Sequence, residues 1–240
     1  MPRNAVMTAL GVILSLAGSS HSRAQNNYWS KADSLKPLLE VLDHAKVSGS
    51  LEFTGSCDSL NFHVFPEFPQ LHVPVATKGP VLQTVREMLA HDSAMQVTQD
   101  PDGTVRMVES GVATDILGVK ISRVPFGERP DGSDFAYSGG AALRRILGTP
   151  ELKSFMKTHD IEQAYGGGGA GSFNFTPHKD LPYIPQPLDN ITFSEAMDYI
   201  LKTFPGLWIY ENCRRTDTRK RTVYFRFYHL QNAGTGMIVQ

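Results

Sequence analysis

The stretch VLQTVREMLAHDSAMQVTQ, residues 81–99, and the stretch FSEAMDYILKTFPGLWIYE, residues 193–211, read as two copies of one structural unit. Aligned without a gap, Val81 meets Phe193, Val85 meets Met197, and Met88 and Leu89 meet Ile200 and Leu201. Met95 and Val97 then fall opposite Leu207 and Ile209. Apolar residues three and four apart mark an amphipathic helix, and the alternation after a tight turn marks a strand. The expected fold class is α+β: two related small βαββ-type modules, with mixed or antiparallel sheets and helices packed on one face.

Working outward, Leu35, Leu38, Leu39, Val41 and Leu42 predict an earlier helix ending at Ala45. Asp33 or Ser34 is expected to cap it, with Pro37 tolerated in its first turn. Strands are expected over residues 50–54 and 71–75. After the quoted stretch, Asp100-Pro101-Asp102-Gly103 signals a tight turn between strands 95–99 and 104–109. The second half predicts a strand over residues 116–124 and helices over 141–147 and 151–159, the second entered through Thr149-Pro150. A re-entering strand over 191–193 should precede a helix capped by Ser194. A hairpin of strands 207–212 and 222–229 closes the fold, and the aromatic strand 223–228 reads as central or covered on both sides. The expected domains are a first module over residues 33–111 and a second over 112–231. The second carries a glycine- and proline-rich loop over 165–187, and residues 232–240 form a flexible tail.

Arg3 followed by the apolar run 5–18, with Ser22-Arg23-Ala24 behind it, has the layout of a signal peptide over residues 1–24, with a polar linker over 25–32. An uncleaved N-terminal anchor is the alternative. No later stretch approaches the roughly 18 apolar residues of a membrane helix. A formal net charge of -1 gives no long-range attraction to nucleic acid or acidic lipid. The chain is therefore expected in the periplasm or secreted, with no stable membrane insertion after cleavage and no nucleic-acid partner. The basic run Arg214, Arg215, Arg219, Lys220 and Arg221 reads as a solvated hairpin tip. Cys57 and Cys213 are the two cysteines, and in an oxidising compartment they permit one disulfide, with two buried thiols as the alternative.

The helix LKPLLEVLDHA, the strand LHVPV, the helix VLQTVREMLA and the hairpin AMQVTQDPDGTVRMVE resemble the short N-terminal domain of secretins and TonB-dependent receptors. The resemblance is best over residues 33–109. ITFSEAMDYIL followed by LWIY, within residues 190–230, looks like that family's strand–helix–strand ending. The resemblance implies a periplasmic signalling and assembly module. This chain departs from the family at SLEFTGSCDSLNFHVFPEFPQ, residues 50–70, where a glycine-led turn is usual.

His63, Glu67 and His72 are the best metal-ligand candidates, yet Pro66 and Pro69 forbid the helix that would stack them on one face. Gly166, Gly168 and Gly171 match a dinucleotide fingerprint but precede SFNFTPHKDLP, which is no phosphate-binding helix. No G-x-S-x-G elbow surrounds any serine. Glu151 with Asp160, and Glu195 with Asp198, read as solvated helix faces rather than paired acids. Trp208, Tyr210, Tyr224 and Tyr228 read as core, or as a glycan groove if exposed. No catalytic, cofactor or metal residue is assigned. The proline-spaced Phe62, Phe65 and Phe68 are the expected interaction surface. The expectation is a non-enzymatic protein of the cell envelope that contacts an envelope protein partner. A small secreted hydrolase, or a small-ligand or glycan binder, is the alternative.

Overall fold

A computed structural model of the chain describes residues 34–60, 63–66, 69–72, 79–127, 138–164 and 182–230, with side chains for all but 56–60 and 63–66. The expected signal peptide, linker, tail and most of the glycine-rich loop lie outside the described residues.

Helix α1 (Lys36–Ala45) buries Leu38, Leu39, Val41 and Leu42, with Pro37 in its first turn. Leu35 stands at the cap position, is itself fully buried and makes no side-chain cap bond. Asp33 lies outside the described residues. Strand β1 (Gly49–Leu60) is more than twice the expected length, and β2 (His63–Pro66) folds back along its far end. The length of β1 follows from pairing on both sides, which periodicity does not report. Of the strand expected over 71–75, residues 73–75 lie outside the described residues; Leu71 and His72 are not in a strand, although the His72 N–H donates to Met88 O at 2.8 Å. Helix α2 (Val81–Met88) leads into the hairpin of β3 (Met95–Gln99) and β4 (Val105–Glu109). The turn is the expected one: Gly103 supplies φ +90, and Asp102 Oδ1 accepts from the Thr104 N–H at 3.0 Å.

In the second half, β5 (Lys120–Val124) is shorter than the expected 116–124. The N–H groups of Leu117 and Gly118 turn back onto Thr114 O, which ends any extended conformation there. Helix α3 (Gly139–Leu147) is capped by Ser138, and α4 (Pro150–Thr158) follows with Thr149 before it. Strand β6 (Ile161–Ala164), IEQA, has no apolar alternation to announce it, so the sequence does not predict it. Strand β7 (Leu188–Thr192) pairs antiparallel with β5 in a separate two-stranded sheet, so residues 191–193 do not re-enter the main sheet. Helix α5 (Phe193–Thr203) begins with a full capping box between Thr192 and Glu195, in place of the expected Ser194 cap. Such a cap contributes about 1 kcal/mol. Strands β8 (Gly206–Arg215) and β9 (Arg221–His229) complete the chain.

The fold is α+β. Among the described residues, the main sheet has seven strands in the order β3-β4-β1-β8-β9-β6, with β2 beside β1. In β3-β4-β1 the first pair is antiparallel and the second parallel. The trio β8-β9-β6 has the same order and the same senses. The trios meet where β1 runs parallel to β8.

Strand β8 alternates between two cores. Leu207 and Ile209 join Leu51, Phe53, Val97, Met107 and the buried stripes of α1 and α2. Trp208 and Tyr210 join Val223, Phe227 and the stripes of α3 and α5. Successive strand residues face opposite ways, so α1 and α2 cover one face of the sheet and α3 and α5 the other. Each trio has its helices on one face, and the two faces differ.

This geometry corrects the ungapped alignment. Along the helices the pairs are equivalent: Val85 with Met197, Met88 with Ile200 and Leu89 with Leu201 are all buried. Along the strands they are not. Val97 faces the helices of its own trio, whereas Ile209 faces the core of the other. The residues of β8 that face their own helices are Trp208 and Tyr210. A one-residue shift restores the equivalence, because a single step in a strand exchanges its faces.

Candidate interaction site

The joint between the trios is the best-defined interface in the molecule. Nine register pairs run from Gly49 opposite Leu207 to Cys57 opposite Arg215. On the α1/α2 face, Leu51 and Phe53 pack with Leu207 and Ile209. Gly55 leaves room there for the Glu211 carboxylate, which a Cβ at this position would displace.

The other face of the joint is polar on its β1 side. Ser50 stands opposite the buried Trp208, and Glu52 opposite Tyr210. Arg106 of β4 reaches across from one trio to the other. Its Nη1 donates to Asp198 Oδ1 of α5 at 2.7 Å, and its Nε to Asp100 Oδ2 at 2.7 Å. Burial raises the Glu52 carboxyl to about 7, against the nearby Arg106 cation and assisted by Asp198. The Tyr210 hydroxyl donates to Ala113 O at 2.5 Å, and burial pushes it up to about 12. These groups clamp the joint. Glu52 is opposed by one cation already shared by two carboxylates, so they do not form an acid–base pair.

The basic run occupies the end of β8, the turn and the start of β9; Arg214 and Arg219 are exposed there, as a solvated tip implies, whereas Arg215, Lys220 and Arg221 are ion-paired. Arg215 bonds Glu162 at 2.9 Å, and Lys220 lies 3.3 Å from Glu162 and 3.4 Å from Asp160. Arg221 bonds both Asp115 oxygens, and its Nε donates to Asn212 at 2.6 Å. Since Asp160 and Glu162 flank the start of β6, the run fastens β6 to the sheet.

The other sequence candidates are dispersed. Cys213 is buried and disulfide-bonded. The sequence holds one other cysteine, Cys57, on β1 two residues beyond the register partner of Cys213, and its side chain lies outside the described residues. The side chains of Phe62, Phe65 and Phe68 lie outside the described residues, as do those of His63 and Glu67. The His72 ring meets His91 edge to face at 5.4 Å. Gly166, Gly168 and Gly171 also lie outside. Trp208, Tyr210, Tyr224 and Tyr228 are buried, so the aromatic strands line cores and not a groove. Glu151 accepts from the Ser122 N–H at 3.1 Å, Glu195 serves the capping box, and Asp198 is held by Arg106. An open groove lies along α4, lined by Val119, Pro150, Glu151, Ser154, Phe155, Thr158 and His159. Its His159 ring stacks on Phe155, with Nδ1 engaged by Phe155 O at 2.9 Å. No helix among the described residues is long and apolar enough to cross a membrane.

What remains are β3 and β6, the two ends of the main sheet among the described residues. Ser110 N–H donates to Ala94 O and Asp100 N–H to Thr104 O. Antiparallel alternation therefore turns the backbone groups of Met95, Val97 and Gln99 away from β4. Met95 N–H is used locally by Asp92 O at 3.1 Å. Val97 O accepts from both Nε and Nη2 of Arg86, at 3.1 and 3.0 Å. Arg86 thus guards the middle of this edge, a position where proteins commonly place a charge against unwanted pairing. Only sheet topology reveals β3 and β6 as ends; no residue pattern in either strand does. No family model, curated protein or solved structure matches this chain.

Proposed function

We propose that this chain is an exported, non-enzymatic protein of the cell envelope that works as an interaction and assembly module by strand addition at a sheet edge. It is composed of two related modules like the short N-terminal domains of secretins and TonB-dependent receptors. The observation that carries this reading is the β1–β8 joint. Two trios of identical strand order are held together by edge-to-edge pairing, with side chains sealing both faces. Strand addition gains affinity from main-chain hydrogen bonds and specificity from alternate side chains. The chain thus already uses this mode within itself.

A photo-crosslinking amino acid at Gln96, on the exposed side of β3, tests the reading in cells producing the full chain. A discrete envelope-protein adduct that disappears with Val97→Pro is the expected result. Turnover of an ester, glycan or peptide panel by purified protein, or no adduct from either β3 or β6, would overturn it.

A further inference from the structure

The two trios are related in a way that has a consequence at the ends of the sheet. Strand β8 runs parallel to β1, whereas its counterpart β3 runs antiparallel to β1. The second trio is therefore inverted, and its helices lie on the opposite face. Both changes are the result of a half-turn about an axis running across the strands. The order from left to right is unchanged by such a rotation, so the trios follow one another head to tail.

In that series the joint is formed by the last strand of one trio, β1, and the first strand of the next, β8. Among the described residues, the strands left at the ends are their counterparts: β6 corresponds to β1, and β3 to β8. We propose that a second copy of this chain adds its β3 in parallel to β6, repeating the internal joint between molecules. This rests on the strand-addition reading above and names the occupant of the edge. Because β6 and β3 run in the same direction, opposite to β1, parallel pairing relates successive copies by a translation along the sheet. The contact is heterologous and does not close on itself in one step, so the product is a chain of copies rather than a dimer.

Two features keep the contact weak. Strand β6 has 4 residues and β3 has 5, against nine register pairs in the internal joint. The Arg86 guanidinium also occupies Val97 O and must release it for a strand to pair there. Association should consequently be reversible and depend on concentration.

The test uses two variants of the exported chain, Gln96→Cys on β3 and Gln163→Cys on β6, with the native disulfide left oxidised. Both positions face the same side of the sheet as Trp208, in line with the registers. A short bismaleimide should link the two variants when mixed and leave each variant alone unlinked. Sedimentation velocity of the unmodified chain should show species growing by whole copies as concentration rises. A single monomer at every concentration, or linkage only within one variant, would overturn the proposal, the latter by showing a symmetric dimer. Neither result touches the envelope-protein adduct from Gln96, so self-association can fail while strand addition to a partner stands.

Discussion

Glu52 is the residue with the largest consequence for its size. It sits on β1 between the trios, and burial raises its carboxyl to about 7. A folded state that holds this proton more tightly than the unfolded chain is favoured below the ordinary carboxylate value. That stability is lost as the pH rises from about 4.5 to about 7. A shift of that size corresponds to about 3–4 kcal/mol. Glu52→Gln should therefore raise the melting temperature at pH 8 and leave it nearly unchanged at pH 4. Thermal denaturation of both proteins across that range checks this. His229 acts in the other direction, since burial lowers its value and its neutral form favours folding above it. The comparison with the Gln variant removes that contribution. An equal pH dependence in both proteins would show that Glu52 does not titrate with folding.

At the scale of elements, the packing of α3 on β8 and β9 depends on two glycines. A Cβ at Gly139, the first residue of α3, would run into the Phe227 ring, and so would one at Gly206, the first residue of β8. The ring is confined between a helix and a strand with no room for a methyl group. Overpacking of this kind costs about 1–3 kcal/mol. Gly139→Ala and Gly206→Ala should each lower the midpoint of urea unfolding, Gly206→Ala by more because its Cβ also meets Tyr228 O. Gly140→Ala is the control, having nothing within 4 Å. Helix α3 was legible from its apolar spacing, and β8 from its alternation. The reason they need glycine at their starts is a ring from a third element, which neither sequence window contains.

For the whole molecule, the sheet crosses the boundary expected at residue 111 while the cores change near it. Leu207, Ile209 and Tyr228 belong to the core of the first half. The halves should therefore unfold together, as one transition. The disulfide at Cys213 adds to this coupling, since Cys213 lies on β8 two strands from the sheet's β6 end and its strand neighbour is β1. A bridge closing so long a loop contributes about 4–5 kcal/mol in the chain-entropy model. Reduction should lower the melting temperature by about 8–20 degrees while keeping a single transition, which calorimetry with and without reductant measures. Two separate transitions in the oxidised protein would show that the β1–β8 joint does not couple the halves.

The helices α2 and α5, the hairpins β3–β4 and β8–β9 and the Asp100 turn were all determined by sequence alone. Each is set by local periodicity or by a residue with special backbone freedom. The alignment of residues 81–99 with 193–211 matches buried positions along the helices but not along the strands. Tertiary structure decided the rest. It lengthened β1 by giving it neighbours on both sides, and it made IEQA a strand because β9 offered an edge. It shifted β8 by one residue so that its alternate side chains serve two cores. It also placed β3 and β6 at the ends of one sheet. Pairing partners and sheet order join residues distant in the chain, so no window of sequence contains them.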